Sequence, residues 1–250
     1  MHSEFDWQAV PFPPGPEFNA DAEAHVWLLQ LNSTLHPHEA LCDFLDSSER
    51  LRAAKFKFVA DRHRYESFHG QARLVLGQYL GLHPSALQFE FGIEGKPQLT
   101  GASAASALSF NLSHSGDYAI LGVTRHLKLG VDIEVVRRIE ELELLAANNF
   151  ATTEFRELLA LAPDRRNDAF LACWTRKEAY VKALGGRLSV PLKDFEVSVD
   201  PSVPAVFRSI SGSAAAAAAW TLWAERPTSD TWAAVAIAAN AVLVRTFSLR

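Results

Sequence analysis

An α+β fold, with helices packed against antiparallel strands, is what three features of the sequence predict. Apolar residues recur at helical spacing along two long stretches: Phe68, Ala72, Val75 and Tyr79 in the first, and Phe170, Trp174, Val181 and Leu184 in the second. Short runs rich in β-branched and apolar residues, bounded by Gly, Pro and polar residues, read as strands before and after them. The two halves of the chain share this plan, each with a similar strand, at residues 117–121 and 231–235. At 250 residues and 48% hydrophobic content, the chain can form one large domain or two modest ones.

Residues 1–22 are expected to be an extended arm, because Pro11, Pro13, Pro14 and Pro16 forbid helix. A strand follows over 25–31. Ser47 or Ser48 is the expected N-cap of a helix carrying Arg50, Arg52 and Lys55, and a helix over 61–80 stops at Gly81. Strands are expected over 87–92, 107–112 and 117–124, the first two joined by a Gly/Ala/Ser-rich loop around Gly101. After a polar link at Arg125-His126 come helices near 139–147, 152–161 and 164–184, and strands near 193–199, 218–225 and 231–239. The alanine run at 214–219 reads as filler or a strand lead-in. The division is thus an arm (1–22), an N-terminal subdomain (23–126) and a C-terminal one (127–250).

Composition narrows the functional classes. A net charge of −5 and a pI near 6.0 give no basic footprint for nucleic acid. Cys42 and Cys173 are too few for a disulfide framework and too poor in pattern for zinc; Cys173, beside Trp174 in a helix, reads as a small core residue. The N-terminus lacks a basic and apolar leader, and the apolar stretch 232–244 is too short for a bilayer and is interrupted by Asn240. A cytoplasmic, monomeric protein without membrane contact is the expectation.

Chemistry concentrates in two segments. Gly130-Val131-Asp132-Ile133-Glu134 is strand-like, so Asp132 and Glu134 emerge on one face, their Cα atoms about 6.6 Å apart. Trp174-Thr175-Arg176-Lys177-Glu178-Ala179-Tyr180-Val181-Lys182 is helical, with Glu178 and Lys182 one turn apart. Three carboxylates without Cys or paired His ligands suit a hard cation, Mg²⁺ before Zn²⁺, and magnesium borrows ligands from substrate phosphates. The plain alternative is a solvated strand face and an ordinary surface ion pair. Lys177 falls on the apolar spine of its helix, where a lysine needs an anionic partner or must snorkel.

These segments are similar to the signature of the 4′-phosphopantetheinyl transferases, specifically the longer, single-chain group. Gly95-Lys96-Pro97 and Phe110-Asn111-Leu112-Ser113-His114-Ser115-Gly116 resemble the family's N-terminal-half motifs in order and spacing, so the resemblance covers about residues 45 to 200. It implies two similar α+β subdomains related by a pseudo-twofold axis, with coenzyme A in the cleft between them. It also implies that Asp132, Glu134 and Glu178 hold Mg²⁺ against the pyrophosphate of coenzyme A, and that Lys182 neutralises the phosphates, with Lys177 a neighbouring basic residue of the same motif. Ser113 and His114 match a Ser-His pair that contacts the ribose 3′-phosphate and nearby groups of coenzyme A. Lys96 resembles a lysine near that nucleotide, and Arg50 or Arg52 takes the place of basic residues binding the same end; His63 and Arg64 are further candidates, or simply a solvated face.

The implied reaction transfers 4′-phosphopantetheine to a serine of an apo acyl or peptidyl carrier protein, releasing adenosine 3′,5′-bisphosphate. Glu178 is the expected base and His114 the runner-up. Two departures from the family are Arg187, where a second glycine is usual in the turn after the helix, and Thr175 in place of Ser or Cys. Two rival classes are a magnesium enzyme acting on nucleoside diphosphates, which would not need the Ser-His and Gly-Lys-Pro motifs, and a non-catalytic coenzyme A or carrier-protein binding module, which would not need three intact acids.

Overall fold

The computed structural model describes residues 16–18, 22–91, 97–101, 107–186 and 190–249. Most of the proposed arm, together with Gly95, Lys96 and Arg187, lies outside these residues. The elements run β1 (Glu23–Gln30), α1 (His38–Asp43), α2 (Ser47–Ala53), α3 (Val59–Leu80), β2 (Phe89–Phe91), β3 (Pro97–Leu99), β4 (Leu108–Ser115), β5 (Tyr118–Arg125), β6 (Leu129–Val135), α4 (Leu142–Asn149), α5 (Thr152–Ala160), α6 (Pro163–Ala183), β7 (Phe195–Val197), β8 (Phe207–Ile210), α7 (Ala214–Ala218), β9 (Thr221–Glu225), β10 (Thr231–Ile237) and β11 (Leu243–Ser248). Two compact units emerge: a helical one built mainly on Asn32–Phe89, and a larger one built on Ala107–Arg250 that also contains β1. Strands β1, β4 and β5, which the sequence assigns to the N-terminal subdomain, therefore pack within the larger unit.

In the helical unit, α3 ends where Gly81 takes a left-handed backbone (φ 62°), a conformation glycine adopts without penalty. The cap of α2 is Asp46 and neither serine: its carboxylate accepts the N–H groups of Ser48 and Glu49, while Glu49 reaches back to the Asp46 N–H. Both acids are also held by Arg73, which is buried, at 2.7 Å each, and Arg73 donates further to the carbonyls of Pro84 and Leu87. The guanidinium thus ties α2, α3 and the turn after α3 together with its charge neutralised. Burial would raise the Asp46 and Glu49 carboxyls, but hydrogen bonds and Arg73 hold both below their usual range.

The larger unit stacks two sheets. One runs in the order β11-β1-β5-β4 and the other β6-β10-β9. Strands β5 and β10, the pair whose sequences resemble each other, are both interior strands with antiparallel neighbours. The ladder between β1 and β11 is parallel, an exception to the antiparallel plan. Ala24, Val26 and Ile120 of the first sheet cluster with Leu129, Val131, Ile133, Val235 and Ile237 of the second. A second core lies between the β6-β10-β9 sheet and α4 to α6, around Phe150, Phe170, Tyr180, Val181 and Ala234. Since a strand alternates, β6 gives its odd residues to the sheet interface and its even residues, Gly130, Asp132 and Glu134, to the other face.

Several boundaries differ from the sequence reading. Strand β4 continues to Ser115, leaving only Gly116 and Asp117 as a hairpin turn, so Ser113 and His114 sit on a strand and not in a loop. Helix α4 begins at Leu142 because the Ile139 N–H is taken by the Asn167 side chain and Glu141 has a left-handed backbone. The alanine run forms helix α7, capped by the Ser213 hydroxyl, as the high helix propensity of alanine favours. The joint at Gly101 is preceded by the short strand β3. Strands β8 and β11 and helix α1 were not read from the sequence. Cys173 is a buried core residue, as expected.

Candidate active site

The site begins at Gly130. A methyl group there would lie 2.1 Å from the carbonyl oxygen of Ala179 and 2.2 Å from the Ala183 nitrogen, so only glycine lets the backbone of α6 rest on β6. That close approach brings Glu178 and Lys182 of α6 opposite the even-numbered residues of β6. A cavity of about 540 Å³ opens at this seam, lined by Asp132 and Glu134 of β6, by Glu178, Lys182 and Trp174 of α6, and by Ser113 and His114 of β4. Pro97, the described residue of the Gly-Lys-Pro motif, lines it as well.

Side chains from alternate residues of β4 stitch it to β6. Asn111 accepts the Val131 N–H at 2.8 Å, the Ser113 hydroxyl donates to Asp132 at 2.9 Å, and the Ser115 hydroxyl donates to Glu134 at 3.0 Å. The Val135 N–H in turn donates to Ser115. Lys182 donates to Asp132 Oδ1 at 2.6 Å and to the Ser113 hydroxyl at 2.8 Å. Asp132 Oδ2 is buried and has no hydrogen-bond partner among the described residues. Burial pushes the Asp132 carboxyl up to about 6; Lys182 and Ser113 pull against that and Glu134 adds to it. Burial therefore outweighs the contact with Lys182.

The carboxylates of Asp132, Glu134 and Glu178 share the cavity but are not drawn within 4.8 Å of one another as a ligand cluster. Three anions repel, and two have separate cations: Lys182 on Asp132 and Arg137 on Glu134, the latter at 2.9 Å. The donors fit magnesium in kind: oxygen only, one of them a buried, unpartnered carboxylate oxygen, beside open space for phosphate oxygens.

Other candidates from the sequence fall elsewhere. Lys177 does not face the cavity. Its side chain is 0% exposed, and its ammonium contacts both Glu154 oxygens at 2.7 Å and the Phe195 carbonyl at 2.7 Å. It also lies 4.3 Å from the centre of the Phe195 ring. The anionic partner demanded by its position on the apolar spine is thus Glu154 and not a nucleotide, which corrects its assignment to coenzyme A. Ser113 spends its hydroxyl on Asp132 and Lys182. Arg50, in the helical unit, donates to the carbonyls of Leu45 and Asp43, while Arg52 is exposed; neither lines the cavity. Arg64 is paired with Asp61, and the His63 ring lies against His38. Thr175 donates to the Leu171 carbonyl inside the helix, a bond that serine could also make.

The sequence reading missed Asn111 and Ser115 as partners of β6, and Trp174 as a cavity wall. The alternation Asn111-Leu112-Ser113-His114-Ser115, polar at every odd position, was the available signal.

An oxygen-rich cavity with a lysine, framed by a strand and a helix of an α+β protein, offers donors for a hard cation and positive charge for an anionic ligand. Two family models match the chain: the 4′-phosphopantetheinyl transferase superfamily over residues 128–238, and the N-terminal region of 4′-phosphopantetheinyl transferases over residues 31–126. The chain is 34% identical over 229 residues to the 4′-phosphopantetheinyl transferase HetI of Nostoc sp., covering 92% of this chain and 93% of that one. It is 32% identical over 160 residues to the 4′-phosphopantetheinyl transferase Sfp of Bacillus subtilis, covering 64% and 69% respectively. A crystal structure of a holo-(acyl-carrier-protein) synthase from Bacillus anthracis in complex with CoA (3′,5′-ADP) aligns at a TM-score of 0.37 and 21% identity, covering 46% of this chain and 98% of that one. The chain belongs to the 4′-phosphopantetheinyl transferase superfamily. As such it is an enzyme that transfers phosphopantetheine from coenzyme A to a carrier protein.

Proposed function

We propose that this transfer is magnesium-dependent and takes place in the cavity at the β6 and α6 seam. The observation that carries the reading is the buried, unpartnered Asp132 Oδ2, on a wall shared with Glu134, Glu178 and Lys182. Asp132, Glu134 and Glu178 would hold Mg²⁺, whose chemistry when bound is to neutralise the diphosphate of coenzyme A. Lys182 adds positive charge beside the same phosphates, and Ser113 fixes both Lys182 and Asp132. His114, exposed on β4, grips the nucleotide end, with Lys96 as a further basic candidate. Glu178 accepts the proton of the carrier serine as its oxygen bonds to the β-phosphorus. The phosphorus–oxygen bond to the nucleotide breaks, and adenosine 3′,5′-bisphosphate leaves with the electron pair.

The two family models meet between residues 126 and 128, whereas the compact units divide the chain differently, with β1, β4 and β5 in the larger unit. Both cysteines are free, and no helix among the described residues is long and apolar enough to cross a membrane. We read the enzyme as a cytoplasmic monomer, a state that light scattering of the purified protein would test. The deciding experiment is intact-mass analysis of apo acyl and peptidyl carrier proteins incubated with enzyme, coenzyme A and Mg²⁺. One carrier or more gains a phosphopantetheinyl arm, and chelation of the metal stops the gain. Equal transfer in the presence of a chelator would overturn magnesium dependence.

A further inference from the structure

The helical unit carries a mixed nitrogen, sulfur and oxygen cluster, none of whose residues lines the cavity. His38 and Cys42 are one turn apart on α1, so both side chains leave the same face of that helix. Glu66, on α3, meets them there. The His38 Nε2 atom lies 3.1 Å from Glu66 Oε2, and the Cys42 sulfur lies 3.7 Å from the His38 ring nitrogens. One ligand atom from each of the three residues falls within 4.8 Å of the others.

We propose that His38, Cys42 and Glu66 form a zinc-binding site that clips α1 to α3. Zinc bonds of about 2.0–2.1 Å to nitrogen and oxygen and about 2.3 Å to sulfur place tetrahedral ligands about 3.3–3.6 Å apart, close to the spacing of this cluster. All three side chains are part-buried, which leaves a solvent-facing position for water or a fourth ligand. His63 is the nearest candidate for it: its ring centre is 4.3 Å from that of His38, and it sits one turn before Glu66 on α3.

The donor set selects the metal. A thiolate with an imidazole favours a borderline-soft ion such as zinc and not magnesium, whereas the Asp132, Glu134 and Glu178 cavity offers only hard oxygen donors. The surroundings are also anionic. Glu66 belongs to the cluster itself, and Glu39 and Asp43 flank its two ligands on α1. A divalent cation would neutralise that field. On binding, the metal–sulfur bond replaces the thiol S–H bond, and the proton leaves to solvent without any change of oxidation state.

Two cysteines too poor in pattern for zinc give no sign of this site in the sequence. The third ligand comes from a different helix and becomes visible only in the fold.

The test is titration of the full-length metal-free protein with Zn²⁺ alone and with Co²⁺ alone. Cobalt is expected to give a thiolate charge-transfer band in the near ultraviolet. That band should be lost in Cys42→Ser and kept in Cys173→Ser. Zinc should raise the unfolding temperature of the wild type, and the rise should be lost in Cys42→Ser and in His38→Gln, both checked for native circular dichroism. Phosphopantetheine transfer by Cys42→Ser should stay at the wild-type level with magnesium present. A missing thiolate band in the wild type, or equal zinc stabilisation of the wild type and the folded variants, would overturn the proposal.

Discussion

Replacing Lys177 by Met tests whether this lysine is structural or a ligand of coenzyme A. Methionine retains much of the apolar stem and removes the ammonium. Glu154, itself 0% exposed, would keep the N–H groups of Ala151 and Val197 but lose its ion pair with the Lys177 ammonium. Breaking one side of a buried ion pair costs about 3–5 kcal/mol, because the surviving charge stays buried. For a chain of this size each kcal/mol lowers the unfolding temperature by about 2–4 °C, so a fall of about 6–20 °C is expected. The double variant Lys177→Met/Glu154→Gln should regain much of the loss, since the penalty belongs to the uncompensated charge.

The pH dependence carries a definite sign. Burial raises the Glu154 carboxyl while Lys177 is the largest influence lowering it, so removing Lys177 raises it further. A raised carboxyl contributes stability that is full below the unfolded value, about 4.3, and is lost as pH rises through the folded value. The deficit of Lys177→Met relative to the wild type should therefore be larger at about pH 8 than at about pH 5. Thermal unfolding at both pH values gives these quantities, and steady-state kinetics on the folded protein gives KM for coenzyme A, expected to be unchanged. A variant as stable as the wild type but with a raised KM would refute the structural assignment and restore Lys177 to the nucleotide site.

Three further outcomes follow from the cavity. Asp132→Asn should stabilise the metal-free protein at about pH 8 by at most about 3 kcal/mol, because the native carboxyl is raised to about 6 and its contribution is lost above that pH; Mg²⁺ should stabilise the wild type and not the variant, as thermal shift would show. Gly130→Ala should cost about 1–3 kcal/mol and lower kcat/KM about 10²-fold, since the added methyl meets backbone atoms of α6 and must push Glu178 and Lys182 away from β6; native turnover in this variant would show that the close approach is dispensable. Glu178→Gln should lower kcat by about 10²–10⁴-fold, whereas His114→Ala should mainly raise KM for coenzyme A, and the opposite pattern would exchange their roles.

The sequence by itself determined the α+β class, the long helices α3 and α6, most strands, and the two segments that carry Asp132, Glu134, Glu178 and Lys182. These were legible because strand alternation and helical spacing are local, so neighbouring residues along the chain already say which side chains share a face. Resemblance to the family supplied roles that spacing alone left open. Only the tertiary structure decided the partners. Lys177 meets Glu154, Arg73 meets Asp46 and Glu49, and Ser113 meets Asp132 and Lys182, each across 19 or more positions of sequence. The parallel ladder of β1 with β11 joins strands from opposite ends of the chain. The physical reason is that hydrogen bonds and ion pairs depend on distance in space, which chain folding sets. The local pattern fixes which face a charged group occupies, and the packing of other elements on that face settles whether its partner is a carboxylate, a substrate or water.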